Sequence, residues 1–547
     1  MSSISSAEPP FLQPMGKQNF PSPPRILIIG AGSRGNAYAE AVLLASNAVI
    51  ATVCEPNEYK RTAFVNKFIV HTSDGENKKK EHDSFTGWKE WREYEVQRRE
   101  RERAGLATEK GVDTVFVCVL DEMHEEVVCG IAGLGLHMCC EKPMSTRLES
   151  CVRMYKALKD ASLGRVNSGS GAKEAVFGIG HVLRYSPHNM MLRHLLLEKD
   201  VIGDVMSIEH VEPIGWWHFA HSYVRGNWRQ ESKTAPSLLT KSCHDIDFLM
   251  WMLCSPAPNT VNATPHLPSF VTSAGSLKFF RKERKPKAAG SATNCLSCKH
   301  EPDCTYSAKK IYLERHLDTG NAHWPVNIVV PEIEDIYKTV GRDEAAKKLL
   351  ENLSEDYMAE TPVGQVEERP WFGRCVWESN NDVCDDQCVT ITWDDDPIAN
   401  DEDGQAILSG RGAKTAQFHM VAFTEKQCER RGRIYGTRGE IEYDSADIKV
   451  HDFATGQTKI YSPHMAGGHH GGGDEGLARQ FIMAVNAVNS GAMSAPDAQR
   501  AYLGCDLEET FRSHAMVFAA EEARTKRQVV DWKTWWHETV ESQLHQR

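Results

Sequence analysis

Residues 25–45 read "RILIIGAGSRGNAYAEAVLLA" and decide the fold. The stretch opens on four consecutive apolar residues, Ile26 to Ile29, passes through Gly30, Gly32 and Gly35, and closes in a helical pattern. A run that is apolar on both faces suits a central strand of a parallel sheet. The glycines spell G-x-G-x-x-G between strand and helix, and Glu55 ends the next strand-like segment, "AVIATVCEP". That context is the signature of a dinucleotide-binding turn. Gly30 permits the tight turn, Gly32 lets the backbone approach a pyrophosphate, and Gly35 lets helix and strand pack closely. The helix N-terminus at Ser33 and Arg34 offers N–H groups and partial positive charge to phosphates. Glu55 accepts from both ribose hydroxyls and repels a 2′-phosphate, which favours NAD; Arg34 and Arg61 keep NADP open.

Outward from this turn, "DTVFVCVL", the helical "HEEVVCGIAGLG" and "HMCCEKP" continue the alternation of strand and helix. Such βαβ units imply a doubly wound parallel sheet, expected over residues 25–165. The charged residues 72–110 read as an exposed helix and loops, and Lys78–Lys80 as a solvated loop. Beyond residue 165, segments from "EAVFGIGHVLRYS" to "QTKIYSP" read as strands with turn signals. Residues 166–547 are therefore expected to form an α+β domain on a large, mainly antiparallel sheet, with an insertion at about 281–370. Residues 1–24, rich in Ser and Pro, read as a disordered lead-in without an apolar signal core.

The chain has 547 residues, 41% hydrophobic and 25% charged, enough for two domains. A net charge of −12 without a basic stripe argues against nucleic acid. No apolar run approaches the ~18 residues of a membrane helix. Sixteen cysteines, several inside apolar runs, suit reduced thiols in the cytoplasm.

A second signal is "MCCEKPMST", where the charged pair Glu141–Lys142 follows a buried strand and abuts Pro143. Ligands of open α/β sheets bind beyond the C-terminal strand ends. The proline disfavours helical geometry at Lys142, which then points out of the strand end. There an ammonium orients a substrate hydroxyl and favours the alkoxide that forms as hydride leaves. "GAGSRG" and "VLDEMHEEVVCGIAGLGLHMCCEKP" together resemble the Gfo/Idh/MocA oxidoreductase family, clearly over the nucleotide-binding half and more loosely beyond it. The resemblance implies that Lys142, in the family's E-K-P, lies at the reacting centre, and that Leu120, Asp121, His124 and Glu141 neighbour the cofactor. It also implies a homodimer or homotetramer built on the open face of the second sheet.

"SLLTKSCHDIDFLMWML" reads as one helix, with Lys241, His244 and Asp245 sharing a face and His244 three residues before Asp247. The family's D-x-x-x-H-x-x-D pattern places its acid/base histidine at His244 and departs from this chain at Thr240. Lys241 is then expected as a second cation that keeps His244 neutral by like-charge repulsion. Histidine suits the base that alcohol oxidation needs. Arg184, Tyr185, His221, Arg225, Trp228 and Asp245 are the expected substrate lining, aromatic and cationic enough for a sugar-like or an anionic ligand. In "HHGGGDEG", Asp474 is the expected cap of a helix, and His469 or His470 a further pocket candidate. Cys295, Cys298, His300 and Cys304 have spacing for a zinc shell, with spare thiols as the preferred alternative.

The expected function is an NAD-dependent oxidoreductase acting on a hydroxyl carbon of a sugar, sugar acid or cyclitol. Alternatives are a redox-neutral, NAD-dependent glycoside-cleaving enzyme and a non-catalytic NAD-binding regulatory protein.

Overall fold

The computed structural model describes residues 16–69, 72–73, 76–77, 82–162, 175–256, 264–367, 369–400, 404–463 and 469–545. Lys78–Lys80 lie outside them. Six strands form a wholly parallel sheet: β1 (Arg25–Ile29), β2 (Val49–Cys54), β3 (Ser84–Phe85), β4 (Thr114–Val117), β5 (His137–Cys140) and β6 (Phe177–Ile179). Their order is β3-β2-β1-β4-β5-β6. β4 and β5 are buried along their whole length, as continuous apolar runs require. Helices α1 (Ser33–Ala45), α2 (His124–Ala132) and α3 (Leu148–Ser162) follow β1, β4 and β5. The order reverses between β1 and β4, so the Gly30 turn, the loop at Leu120 and Lys142 share the ligand-binding edge.

Three expectations are corrected. The segment at 177–179 pairs with β5 and belongs to the first sheet, because its short apolar run is buried beside Met138–Cys140. Part of the lead-in is ordered: the Gln18 N–H donates to the Ala45 carbonyl (2.9 Å) and the Phe20 N–H to Asn47 Oδ1 (2.9 Å). The charged helix Trp88–Arg103 is not fully exposed, since Glu95 is buried and accepts from Arg98 and Arg99, both at 2.7 Å.

The second sheet contains β7 (Val205–Pro213), β8 (Phe270–Ser276), β9 (Asp386–Trp393), β10 (Lys414–Val421), β11 (Arg431–Gly436), β12 (Gly439–Tyr443), β13 (Ile448–Asp452), β14 (Thr458–Tyr461) and β15 (Val530–Asp531). The order is β14-β13-β12-β11-β7-β10-β9-β8-β15, antiparallel except for the β7–β10 pair. Helices α4 (Cys243–Leu253), α5 (Gly473–Asn489) and α6 (Leu507–Lys526) complete the domain. α4 and α6 pack against the sheet, and α5 packs against α1 of the first domain. Between β8 and β9, the described residues of 281–370 form short helical turns and helices. Among the described residues no helix is long and apolar enough to cross a membrane.

Candidate active site

The nucleotide cradle is shaped by absent side chains. Gly30 has φ +101°, and a Cβ there would lie 2.4 Å from the Cys118 carbonyl oxygen. A Cβ on Gly35 would lie 2.0 Å from the Gly30 carbonyl oxygen, whereas one on Gly32 would meet nothing within 4 Å. Gly32 caps α1 without a side-chain hydrogen bond, so the helix presents its first N–H groups outward. Glu55 is buried at the end of β2 and accepts from the N–H groups of Ala31 and Asn57, both at 2.9 Å. An open helix terminus with a carboxylate at the end of the next strand fits a dinucleotide. Arg34 and Arg61 are both engaged. Arg34 donates to Glu141 Oε1 (2.8 Å) and Asp474 Oδ1 (2.5 Å), and Arg61 to the Glu55 carbonyl (2.6 Å).

At the end of β5, the adjacent charges part company. Glu141 takes Arg34 and the Tyr38 hydroxyl (2.6 Å). Burial opposes its charge, but Arg34 and Lys142 outweigh this and hold the carboxyl below its ordinary value. Lys142, joined to Pro143 by a cis peptide, donates from Nζ to the Thr240 carbonyl (2.9 Å) and lies 5.8 Å from the centre of the Trp228 ring. Trp228 donates in turn to buried Asp121 (2.8 Å). Burial pushes the Asp121 carboxyl up against the pull of Lys142. Leu120 is exposed on the same edge. His124 is buried, with Nδ1 2.7 Å from the Pro143 carbonyl and Nε2 3.3 Å from that of Val119. It ties the two cofactor-side loops together instead of facing the crevice.

The expected single helix is broken. A turn at Ser237–Thr240 precedes α4, and Lys241 and Ser242 lie between them. Lys241 therefore does not share a helix face with His244. The apolar periodicity runs through the break and conceals it. Where the family pattern has aspartate, the Thr240 backbone carbonyl receives Lys142. His244 occupies the first turn of α4, buried, with Nδ1 unpartnered. Its ring lies 5.9 Å from His181 and 5.8 Å from His470. Burial, then the Lys142 ammonium, hold the imidazole well below its ordinary value and keep it neutral. Lys142 thus fills the electrostatic role expected of Lys241.

A cavity of about 460 Å³ separates Ser33, Arg34 and Ala37 of α1 from the second domain. Its far wall includes His218, Lys241, Trp324, Cys428, Arg430 and Tyr443, with His470 at the near end. Its described lining includes neither Lys142 nor His244; His470 connects it to the His244 ring. Lys241 Nζ is 3.2 Å from Glu212 and donates to Cys428 Sγ (3.0 Å). Although burial opposes its charge, Cys428 and Glu212 hold the Lys241 ammonium above its ordinary value. Arg430 Nε is 2.7 Å from Asp245 and 3.1 Å from Glu212. Asp245 also faces His210 Nε2 (3.0 Å) and is wholly buried, so it supports the wall behind the cavity. Glu212 and Arg430 were not among the residues expected from sequence, and Asp474 was expected only as a helix cap. For Glu212 a signal existed: on β7, Ile208, His210 and Glu212 alternate inward, so period two marks both polar residues as buried.

Four further candidates are structural. Arg184 is buried in a bidentate pair with Asp247 (2.7 Å twice) and also donates to Glu509. The Tyr185 hydroxyl donates to the Leu503 carbonyl (3.0 Å). His221 Nδ1 meets the Tyr312 hydroxyl (2.9 Å). Arg225 donates to the carbonyls of Arg374 (2.6 Å) and Tyr306 (2.7 Å), anchoring the inserted segment. Asp474 is not a helix cap; it stands in the first turn of α5 and pairs with Arg34 and His470. The ligand atoms of Cys295, Cys298, His300 and Cys304, the alternative zinc candidates, do not converge. Cys295 is buried with Sγ accepting from Arg225 (3.4 Å). Among the described residues, the ligand atoms of three such groups come within 4.8 Å only at Asp386, Cys388 and His419, where Lys278 already donates to Asp386 (2.6 Å). All sixteen cysteines are free.

Residues 24–166 match the family model GFO_IDH_MocA, described as an oxidoreductase family with an NAD-binding Rossmann fold. Over 156 residues the chain is 28% identical to 2,7-anhydro-N-acetylneuraminate hydratase of Escherichia coli, covering 28% of this chain and 37% of that protein. Over 165 residues it is 27% identical to inositol 2-dehydrogenase 2 of Saccharopolyspora erythraea, covering 30% and 41%. The matches thus span about two fifths of these relatives' length. Among solved structures, an inositol dehydrogenase homolog complexed with NAD+ from Azotobacter vinelandii superposes with TM-score 0.56 at 12% identity, covering 95% of this chain and 100% of that one. Levoglucosan dehydrogenase in complex with NADH and levoglucosan gives 0.52 at 13% identity, covering 94% and 99%. These likenesses show the fold of both domains.

Proposed function

We propose that the chain, whose residues 24–166 match the GFO_IDH_MocA family model, is an NAD-dependent oxidoreductase acting on a hydroxyl carbon of a sugar or cyclitol. The observation that carries this reading is the meeting of Lys142 with the second domain. A strand-end ammonium beside the nucleotide cradle donates to Thr240, four residues before a neutral, buried histidine. Relatives named as inositol and 1,5-anhydro-D-fructose enzymes point to the same substrate chemistry.

NAD, when bound, supplies the acceptor for the hydride. The G-x-G-x-x-G turn and the α1 terminus would hold its pyrophosphate, and Glu55 its ribose, with NAD preferred over NADP because Arg34 and Arg61 are engaged elsewhere. Lys142 orients the substrate hydroxyl and stabilises the negative charge that develops on its oxygen. His244, neutral and with Nδ1 free, takes the hydroxyl proton. Trp228 and Asp121 position Lys142 from the cofactor side. Association into a dimer or tetramer through the open face of the second sheet belongs to the same proposal. Incubation with NAD and a panel of polyols should accumulate NADH. Conversion of substrate without net NADH would favour a redox-neutral cycle, and NAD binding without any conversion would favour a regulatory role.

A further inference from the structure

Three cationic side chains stand on the described wall of the cavity: Arg34, Lys241 and Arg430. Each already faces carboxylate. Arg34 meets Glu141 (2.8 Å) and Asp474 (2.5 Å), Lys241 meets Glu212 (3.2 Å), and Arg430 meets Asp245 (2.7 Å) and Glu212 (3.1 Å). The three cations therefore confront four carboxylates. Two more carboxylates, Glu429 and Asp444, line the cavity. Glu429 has Lys426 at 3.2 Å, and Asp444 accepts from the N–H groups of Ala446 and Asp447 (both 2.8 Å). Of the four lining histidines, burial holds His218 and His470 below their ordinary values, so these two add no positive charge at neutral pH. An anionic ligand would have to draw a cation from a buried partner and leave that carboxylate uncompensated, which is costly.

The rest of the described lining contains no Lys, Arg, Asp or Glu. Ser33, Asn189, Gln427 and Ser445 carry hydrogen-bonding groups, and Trp324 and Phe248 present apolar faces. A polyol asks for that combination, with hydroxyl edges and C–H faces, and the volume suits a small ligand. The pivot is Glu212. It is fully buried on β7 and, among the described residues, is the one carboxylate in contact with both Lys241 and Arg430.

We infer that this cavity admits an uncharged polyol and rejects the carboxylate or phosphate of the same skeleton, and that Glu212 is the specificity-determining residue that sets this balance. The inference rests on the oxidoreductase reading and narrows its substrate class.

The test compares a neutral polyol, the matching sugar acid and the matching sugar phosphate. NAD reduction is measured for each, together with calorimetric titration of each ligand into the NAD-loaded protein. The wild type should favour the neutral compound in kcat/KM and in affinity by roughly tenfold or more. Glu212→Gln keeps the shape but takes from Lys241 its carboxylate partner and leaves Arg430 with Asp245. It should raise the acid-to-neutral ratio by about tenfold, chiefly through KM and binding. If this variant does not fold, Lys241→Met gives the opposite test and should lower the ratio further. A wild-type preference for the acid or phosphate, or a ratio unmoved in the folded variant, would overturn the inference while leaving the oxidoreductase reading intact. Failure to oxidise or bind any of the three would remove that reading and the inference with it.

Discussion

On the first-domain side of the crevice, Gly30, Gly32 and Gly35 make a site by leaving space, and the ligand-facing groups are backbone N–H donors. On the second-domain side, Lys241, Glu212, Arg430 and Asp245 fill the wall with matched charges. The first surface holds an anion because its donors are unspent. The second refuses one because its cations are spent. Lys142 stands between them, with its ammonium on a neutral carbonyl and no carboxylate among the described acceptors of that ammonium. Its charge remains available to a developing alkoxide in a way that the charge of Lys241 is not.

Each part of this contrast can be broken separately. The largest effect should follow Lys142→Ala: turnover should fall by about 10²–10³-fold, as for loss of a transition-state donor, with NAD affinity nearly unchanged. Steady-state kinetics beside an NAD titration measure both, and intact turnover would assign Lys142 to structure only. Next comes Gly30→Ala, which forces a side chain to 2.4 Å from the Cys118 carbonyl at φ +101°. A loss of about 1–3 kcal/mol in folding stability is expected, with weakened NAD binding, read by denaturant unfolding and titration. Unchanged NAD affinity would show that the cradle tolerates filling.

The smallest effect per group concerns pH. Burial pushes His181 and His221 down to about 3, and burial with Arg315 brings His316 to about 4. An unfolded histidine titrates near 6.5, so below that pH the unfolded chain binds more protons than the folded one. Stability is therefore full above about pH 6.5 and declines as pH falls toward the folded values. Each such histidine contributes about 1.4 kcal/mol per pH unit over that range. Thermal unfolding at pH 7.5 and pH 5 measures the slope, and equal midpoints would show these rings to be hydrated.

The same contrast explains what the sequence disclosed. A glycine turn is a local device, so the turn at Gly30 to Gly35 was readable from its spacing, and the strand end at Lys142 from its proline neighbour and the E-K-P resemblance. A matched-charge wall is assembled from distant chain segments. Asp245 meets Arg430 across 185 positions, and Arg184 meets Asp247 across 63, so an isolated arginine in the sequence gives no sign whether its partner is a ligand or a buried carboxylate. For that reason Arg184 and Arg225 were expected in the substrate pocket and stand in the framework. The break at Lys241 and Ser242 was hidden because Leu238, Leu239, Ile246 and Leu249 keep helical spacing on either side of it.

Hydride transfer itself is tested most directly with a neutral polyol carrying deuterium at the carbinol carbon. The account predicts that deuterium appears in the NADH that accumulates, at a rate that collapses in Lys142→Ala. Unlabelled NADH, or consumption of the polyol with no NADH at all, would contradict it.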